Sequence, residues 1–481
     1  MNKSIRFISV ILMGLISFQI YAYDFISDEI YYNILSETDR TIQVTTNDWD
    51  GNHPAYSGSI VIPSKVIYQS KTYTVTGIGE SAFHRCEGLT SITLPNSITT
   101  IGDWAFSLCE SLTSLELPNS ITTIGNGVFN YCSSLESLTL PNSITAIGYY
   151  AFRRCWFLRS ITLPNSLTTI GDYAFQDCNR LTSITLPNSI TSIGEGAFHG
   201  CSSLTSITLP NSITSIGYYA FSACSNLENI FVADGNTMFS SIDGVLYDKD
   251  ASTLIRCPLK KGSVTLPNSL ITIGVSAFSG CIDLISLTLP NSLTSIGKSA
   301  FKGCSGLKSI TLPNSITAIG YFAFEGCSGL KSITLPNSLT TIRDYAFSEC
   351  DALERINMLR ETPIECNPGF SEEALKNAIL YIPIGTLAEY EKVDPWRNFW
   401  NIKEVNFAGI NEIEADDMSL RLIWNNGILS IDGIDENESI TIYDMSGHVV
   451  HSGTGHSIEY LVPGIYIVKA GKRGTKFAVP E

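Results

Sequence analysis

Apolar positions recur along most of this chain in a pattern longer than any single helix or strand. From Leu89 the segment LTSITLPNSITTIGDWAFSLCES is followed, from Leu112, by LTSLELPNSITTIGNGVFNYCSS. It returns from Leu135, Leu158, Leu181 and Leu204, and again from Leu284, Leu307 and Leu330, with a period of 23 residues. Within the first copy, Leu89, Ile92 and Leu94 are spaced to enter a core from a short strand, with Ser91 and Thr93 on the other face. Pro95 has no N–H to give and ends the strand. Asn96-Ser97 is turn chemistry, with side chains expected to bond nearby backbone. Ile98 and Ile101 return to the core, Gly102 is expected to permit a sharp bend, and Ala105, Phe106 and Cys109 close the coil.

One such unit buries too little apolar surface to offset the ordering of its own backbone, so neighbouring units must stack. The period and the L-x-x-I-x-L opening fit leucine-rich repeats. The predicted fold class is therefore a β-rich solenoid, a leucine-rich repeat array of about 11 rungs over residues 81–353. At about 4.8 Å per rung those rungs would extend roughly 50 Å. The rhythm breaks once. After Leu227 the next repeat leucine is Leu284, 57 residues on. The insert, at about 234–266, carries an Asp243-Gly244 hairpin signal. It reads equally as a functional loop or as a flap covering a joint.

The flanks differ from the repeats. Residues 23–80 hold several strand-like runs and are expected to form an N-terminal β cap; 354–405 a C-terminal cap ending in Trp396, Phe399 and Trp400; and 406–417 an acidic linker. Residues 418–481, with Asn426-Gly427 and Ser446-Gly447 turns between alternating runs, predict a small β-sandwich. Residues 1–22 read as a signal peptide: Lys3 and Arg6, an apolar run from Phe7 to Ile20, then Tyr21-Ala22. That run is shorter than the roughly 20 residues a membrane span needs. An exported protein without a transmembrane segment after cleavage is expected.

Charge narrows the partners. Of 481 residues 46 are acidic and 30 basic, for a net charge of −16, which becomes −18 when the signal leaves. A nucleic acid partner is excluded by the lack of a basic footprint. The acidity lies in the caps and tail, and residues 89–352 carry only −4. The 13 cysteines keep the repeat's beat: Cys86, Cys109, Cys132, Cys155, Cys178, Cys201 and Cys224, then Cys281, Cys304, Cys327 and Cys350. Paired metal-ligand spacing is absent. Equivalent thiols in parallel rungs offer no unique disulfide partner, so inert core thiols are expected. His448, His451 and His456 cluster in the tail without metal-site spacing, and Asp48-x-Asp50-Gly51-Asn52 lacks the closing glutamate of a calcium loop. Nucleophile and phosphate motifs are missing. No catalytic residue, metal or cofactor is predicted.

The informative positions are those that vary inside an otherwise constant repeat. The two residues after the repeat glycine include Trp104, Tyr149, Tyr150, Tyr173, Tyr218, Tyr219, Tyr321, Phe322 and Tyr345, but elsewhere Gly127, Gly196 or Ser299. A column that accepts both tryptophan and glycine is expected to be exposed, and a row of exposed rings suits sugar stacking or protein contact. The alternative is that the rings simply lie over neighbouring rungs.

The LPNSITSIG–AF–GC repeat resembles that of BspA-like leucine-rich repeat proteins, which are secreted or surface-exposed and occur largely in anaerobic host-associated bacteria. The match runs repeat by repeat over 81–353, and YYNIL…GSIVIPSKVIYQSKTYTVTGIG, SSIDGVLYDKD and YIPIGTLAEY…WRNFWNI are also similar. The tail resembles the type A sorting module of the type IX (Por) secretion system of Bacteroidota, through Ile442-Tyr443-Asp444-Met445-Ser446-Gly447 and Gly464-Ile465-Tyr466-Ile467-Val468. Such tails commonly finish in a basic, β-branched run, whereas this one ends FAVPE. The resemblance implies non-catalytic adhesion to host or bacterial surface proteins or glycans, by a monomer, in the extracellular space or on the outer membrane. Two alternatives stand beside it: a structural surface-layer or matrix component, and a polysaccharide-processing enzyme.

Overall fold

The structure is a computed structural model that describes residues 23–47, 56–366, 368–407 and, from 421 onward, mainly the strands of a tail module. The signal peptide, the Asp48–Asn52 loop, the 408–417 part of the linker, the Asn426-Gly427 and Ser446-Gly447 turns and His456 lie outside the described residues. The chain divides into two compact units. One runs to Leu380 and adds Glu389–Asn401; the other comprises Tyr381–Ala388 and Ile402–Glu481. The segment expected to be the C-terminal cap thus contributes to both.

The first unit is the solenoid. Its rungs stack in register through three ladders, each arising from one part of the repeat. The L-x-x-I strands pair in parallel, as in Ser137–Thr139 with Ser160–Thr162 and Ser332–Leu335 with Arg355–Met358. Two-residue Thr-Ile strands form a second parallel sheet, Thr123↔Ala146↔Thr169↔Ser192↔Ser215. The A-F-x-x-C segment forms the third. There alternate N–H groups cross to the next rung: Trp104 to the Asn126 carbonyl, Phe106 to Val128 and Leu108 to Asn130, at 2.8, 2.9 and 2.8 Å. With the turns supplied by the caps and the joint, the solenoid has about 14 turns, against the eleven that the cysteines mark.

Side chains add ladders that the repeat consensus did not reveal. Contrary to expectation, the LPNS serine does not bond its own turn. Its hydroxyl donates to the previous rung, Ser166 to the Ile144 carbonyl and Ser315 to Leu293, both at 2.6 Å. The buried phenylalanines stack in two columns, Phe83 to Phe221 and Phe278 to Phe370, with neighbouring rings such as Phe152 and Phe175 at 5.2 Å and 4°. The repeat glycine also differs from expectation. Gly171 does not have a positive φ; a Cβ there would stand 2.7 Å from the Gly148 carbonyl carbon. Space between rungs, rather than a bend, demands glycine.

Both ends are closed. At the start, Ile30–Ser36, Thr41–Thr45 and Lys71–Ile78 build a sheet that runs into the second ladder through Gly77↔Thr100 and Ile78↔Ile101, while Gly58–Val61 pairs with Leu89–Thr93. Tyr56 covers the first ring of the column, 4.7 Å from Phe83. At the other end Phe370 stacks on Phe347, and buried Trp396 donates its indole N–H to the Ile364 carbonyl at 2.7 Å. In the second unit, Arg421–Asn425, Ile428–Asp432 and Ser457–Glu459 form one antiparallel sheet, and Ser439–Asp444, Val449–Thr454, Gly464–Ala470 and Arg473–Val479 another. Leu429, Ile431, Ile440, Ile442, Ile458 and Val468 share one core, as a sandwich requires.

Candidate functional site: the aromatic column of the turn face

The third ladder is tight because two residues of each turn are left-handed. In the second rung these are Trp104 and Leu108, at φ 59° and 62°. The first of these columns contains Ser81, Trp104, Gly127, Tyr150, Tyr173, Gly196, Tyr219, Ser276, Ser299, Phe322 and Tyr345, all at φ 53° to 61°. No β-branched residue occurs there, as expected where φ is positive. This backbone constraint, which spacing alone could not disclose, decides which side chains the column accepts. The residue before it holds the next rung at Asp103 and Asp172: the Asn126 N–H donates to Asp103 Oδ1 at 2.8 Å, and the Glu195 N–H to Asp172 Oδ1 at 2.7 Å.

The nine candidate rings separate into distinct environments. Trp104 and Tyr173 lie over neighbouring glycines. A Cβ on Gly127 would meet the Trp104 ring at 2.0 Å, and one on Gly196 the Tyr173 ring at 2.4 Å. The glycines of the column are therefore seats for the ring one rung earlier, and both rings are half-buried. Tyr149 and Tyr150 pack at 3.7 Å between centroids, with Tyr173 at 5.5 Å from Tyr150 and the Arg153 guanidinium 4.8 Å from the Tyr150 ring. Phe322 and Tyr345 stack at 5.2 Å and 5°, and Arg343 lies 5.5 Å from the Tyr321 ring. Tyr218 is the most open of the set at 66% exposure, and neither it nor Tyr219 makes a ring contact among the described residues. One continuous stripe is thus not what the fold builds. It builds two aromatic patches, Tyr149/Tyr150/Tyr173 and Tyr321/Phe322/Tyr345, with Tyr218 and Tyr219 between them in sequence and Trp104 apart.

The thiols lie beneath this face. All thirteen cysteines are buried, and none is in a disulfide. The rung cysteines also donate across rungs: Cys109 Sγ to the Phe83 carbonyl, Cys155 to Phe129 and Cys304 to Phe278, each at 3.1 Å. Cysteine suits the position because it is small and apolar yet retains a weak donor. Burial pushes the Cys132 thiol up to about 12, so it stays protonated at neutral pH. Among the described residues no group of three or more His, Cys, Asp or Glu is placed to hold a metal ion.

The insert is a joint. Phe239–Ile242 and Val245–Asp248 form the antiparallel hairpin, turning at Asp243 and Gly244 with φ 48° and 71°. Thr253–Arg256 then pairs in parallel with Thr272–Ile273, taking the place of a Thr-Ile strand. Asp248 fixes the turn between them by accepting from the Ser252 and Thr253 N–H groups at 2.8 and 3.0 Å. Its burial works against ionisation, but these donations outweigh that and hold its carboxyl below the usual value.

The repeat geometry agrees with comparison to known proteins. Residues 62–179, 145–243 and 252–368 match the BspA type leucine rich repeat region, in six copies. This chain belongs to that family. A leucine rich cell surface protein of Faecalibacterium prausnitzii is 31% identical, with a TM-score of 0.62 over 82% of this chain and 98% of that one. A leucine-rich repeat protein of Bacteroides ovatus is 27% identical, with a TM-score of 0.54 over 80% and 100%. The pneumococcal vaccine antigen PcpA, at 23% identity and TM-score 0.55 over 79% and 96%, shares the fold. No curated protein matches in sequence. This BspA-type chain is thus a leucine-rich repeat protein of a kind found among bacterial surface proteins. No helix among the described residues is long and apolar enough to cross a membrane.

Proposed function

We propose that the protein is exported after removal of residues 1–22 and acts outside the cell, or at its surface, as a non-catalytic adhesion protein. Its ligand is a protein or a glycan of a host or bacterial surface. The single observation that carries this reading is the set of exposed rings on the turn face, Tyr149 and Tyr218 foremost, in a repeat whose inward positions are committed to the core. Such rings cost little side-chain entropy on binding and offer flat apolar surface with a hydroxyl at its edge. Binding would combine shallow contacts from several rungs. The tail's likeness to a type IX sorting module, and with it an origin in Bacteroidota, belongs to the same proposal.

The test is to probe a panel of extracellular-matrix proteins and glycans with the full mature chain and with a variant carrying Tyr149→Ser, Tyr150→Ser, Tyr218→Ser and Tyr219→Ser. Serine already occupies the left-handed column at Ser81, Ser276 and Ser299, so the variant is expected to fold. Hits lost by the variant support the proposal, and hits retained at full strength overturn the aromatic assignment. Light scattering separates the structural alternative, which requires self-association without a ligand.

A further inference from the structure

The joint leaves the third ladder one turn short. In rung after rung the left-handed residue, the phenylalanine and the residue before the cysteine donate their N–H groups to the next turn. Gly196, Phe198 and Gly200 reach the Tyr218, Ala220 and Ser222 carbonyls at 2.9 Å each. The next three donors, on Tyr219, Phe221 and Ala223, have no acceptor among the described residues. The insert provides a strand for the second sheet but no A-F-x-x-C turn to receive them. The facing rung is better supplied. Its Ala277 carbonyl accepts from Cys257, and its Ser276 and Ser279 carbonyls accept from the Arg256 guanidinium at 2.6 and 3.2 Å. The gap is therefore rich in donors and poor in acceptors.

Its charge points the same way. Arg256 is only 5% exposed, its Nε has no hydrogen-bond partner, and it forms no ion pair among the described residues. Two cavities open on this break, of about 490 and 390 Å³. Tyr219, Ser222 and Ser276 line both; Arg256 lines the second, and Lys298 and Lys302 the first. Lys302 is held by Glu325 at 2.7 Å, whereas Lys298 has no carboxylate partner among the described residues. Tyr218, exposed and without a ring partner, lies at the second cavity.

We propose that this break is a binding site for an acidic peptide segment, which lies in the gap as the absent turn. Its backbone carbonyls accept from Tyr219, Phe221 and Ala223, and its carboxylates enter the two cavities, one toward Arg256 and one toward Lys298. In the regular rungs three N–H groups at this spacing are met by three carbonyls on alternate residues of the next turn, so a peptide backbone in that turn conformation supplies matching acceptors. That spacing favours a peptide over an anionic sugar, whose acceptors have no such repeat. A carboxylate near buried Arg256 gains a charge-assisted interaction in surroundings of low dielectric. The site shares Tyr218, Tyr219 and Phe322 with the proposed adhesive surface but does not include the patch at Tyr149.

The probe is a fluorescein-labelled hexaglutamate peptide, titrated into the full mature chain at low salt by anisotropy, with hexaglutamine and an oligogalacturonate hexamer as comparators. Hexaglutamate should bind at least tenfold more tightly than either comparator and slow amide exchange at 217–226 by mass spectrometry. Lys298→Gln and Arg256→Gln should each weaken binding about tenfold or more. If Arg256→Gln fails to fold, judged by circular dichroism, Lys298→Gln alone decides. The Tyr149→Ser/Tyr150→Ser pair should leave hexaglutamate binding unchanged, which separates this site from the adhesive reading. Equal binding of the galacturonate overturns the peptide assignment. Absence of binding, or binding without protection at 217–226, overturns the site.

Discussion

The regular rungs and the joint solve one problem with different residues. From Cys109 to Cys224 every rung is held by copies of the same contacts: a serine hydroxyl and a cysteine thiol to the previous rung, and a phenylalanine on a phenylalanine. Each of these residues is fitted against a neighbouring rung, so a change in one copy must fit the copies beside it. At the joint the counterparts are gone. Asn236 takes the serine's part, its amide donating to the Pro210 and Ile213 carbonyls at 3.0 and 3.1 Å, and Arg256 reaches two carbonyls of the rung beyond. Repetition enforces sameness where rungs meet. Individuality survives only on exposed faces and at the break, and those are the places where recognition can be encoded.

The sharpest way to break this contrast is to substitute glycines in both regions. Gly171→Val forces a side chain into the backbone of the rung beside it and is expected to cost about 3 kcal/mol or more. At Gly262, beyond the joint hairpin, an added Cβ would meet nothing closer than the Asp283 carbonyl oxygen at 3.7 Å. Gly262→Ala should therefore stay within about 0.5 kcal/mol. Calorimetric melting of both variants checks the pair, and equal losses would erase the distinction.

A smaller effect is expected from the thiol ladder. Cys155→Ala removes a buried sulfur and its donation to Phe129, at a cost of about 1–2 kcal/mol. Because burial raises the Cys132 and Cys155 thiols, both should resist iodoacetamide in the native protein from pH 7 to 9 and react fully once unfolded. Alkylation of Cys132 or Cys155 in the folded protein would contradict the packing described.

The joint should respond to acid through Asp248. Asp248 has a folded-state pKa below its ordinary value of 3.8, so its ionised form stabilises the fold above that pH. The contribution disappears as pH falls through the depressed value. Asp248→Asn should lower the melting temperature at pH 7, and the difference from the parent should shrink as pH falls below the ordinary carboxylate value. A difference that persists unchanged in acid would assign Asp248 a role other than its charge.

Much of the scaffold was legible in the sequence because its physics is periodic. The 23-residue spacing, the inward Leu89 and Ile92, and the Asp243-Gly244 turn all express local rules. The reasons behind several constant residues were not legible, since they lie between rungs. Nothing in a single LPNS or AFSLC segment says that the serine and cysteine bond to the previous turn, or that Gly171 is required by a neighbouring backbone. The aromatic column was visible as variation. Its division came from two facts that spacing hides: the positive φ of Trp104, Tyr150, Tyr173, Tyr219, Phe322 and Tyr345 alone, and the seating of Trp104 and Tyr173 over glycines. Arg256 gave only a faint signal, a charged residue immediately before a cysteine in the insert.

The central claim is that recognition belongs to the rings of the turn face rather than to the hydroxyl-rich strand face. The direct measurement is the affinity of the full chain for a panel hit, compared across two variants. One is the Tyr149/Tyr150/Tyr218/Tyr219 serine variant; the other carries Thr139→Lys and Thr162→Lys on exposed, paired strand positions. The account predicts that the first loses binding at least tenfold and the second keeps it, with both melting near the parent. Loss in the threonine variant with full binding by the tyrosine variant would contradict it.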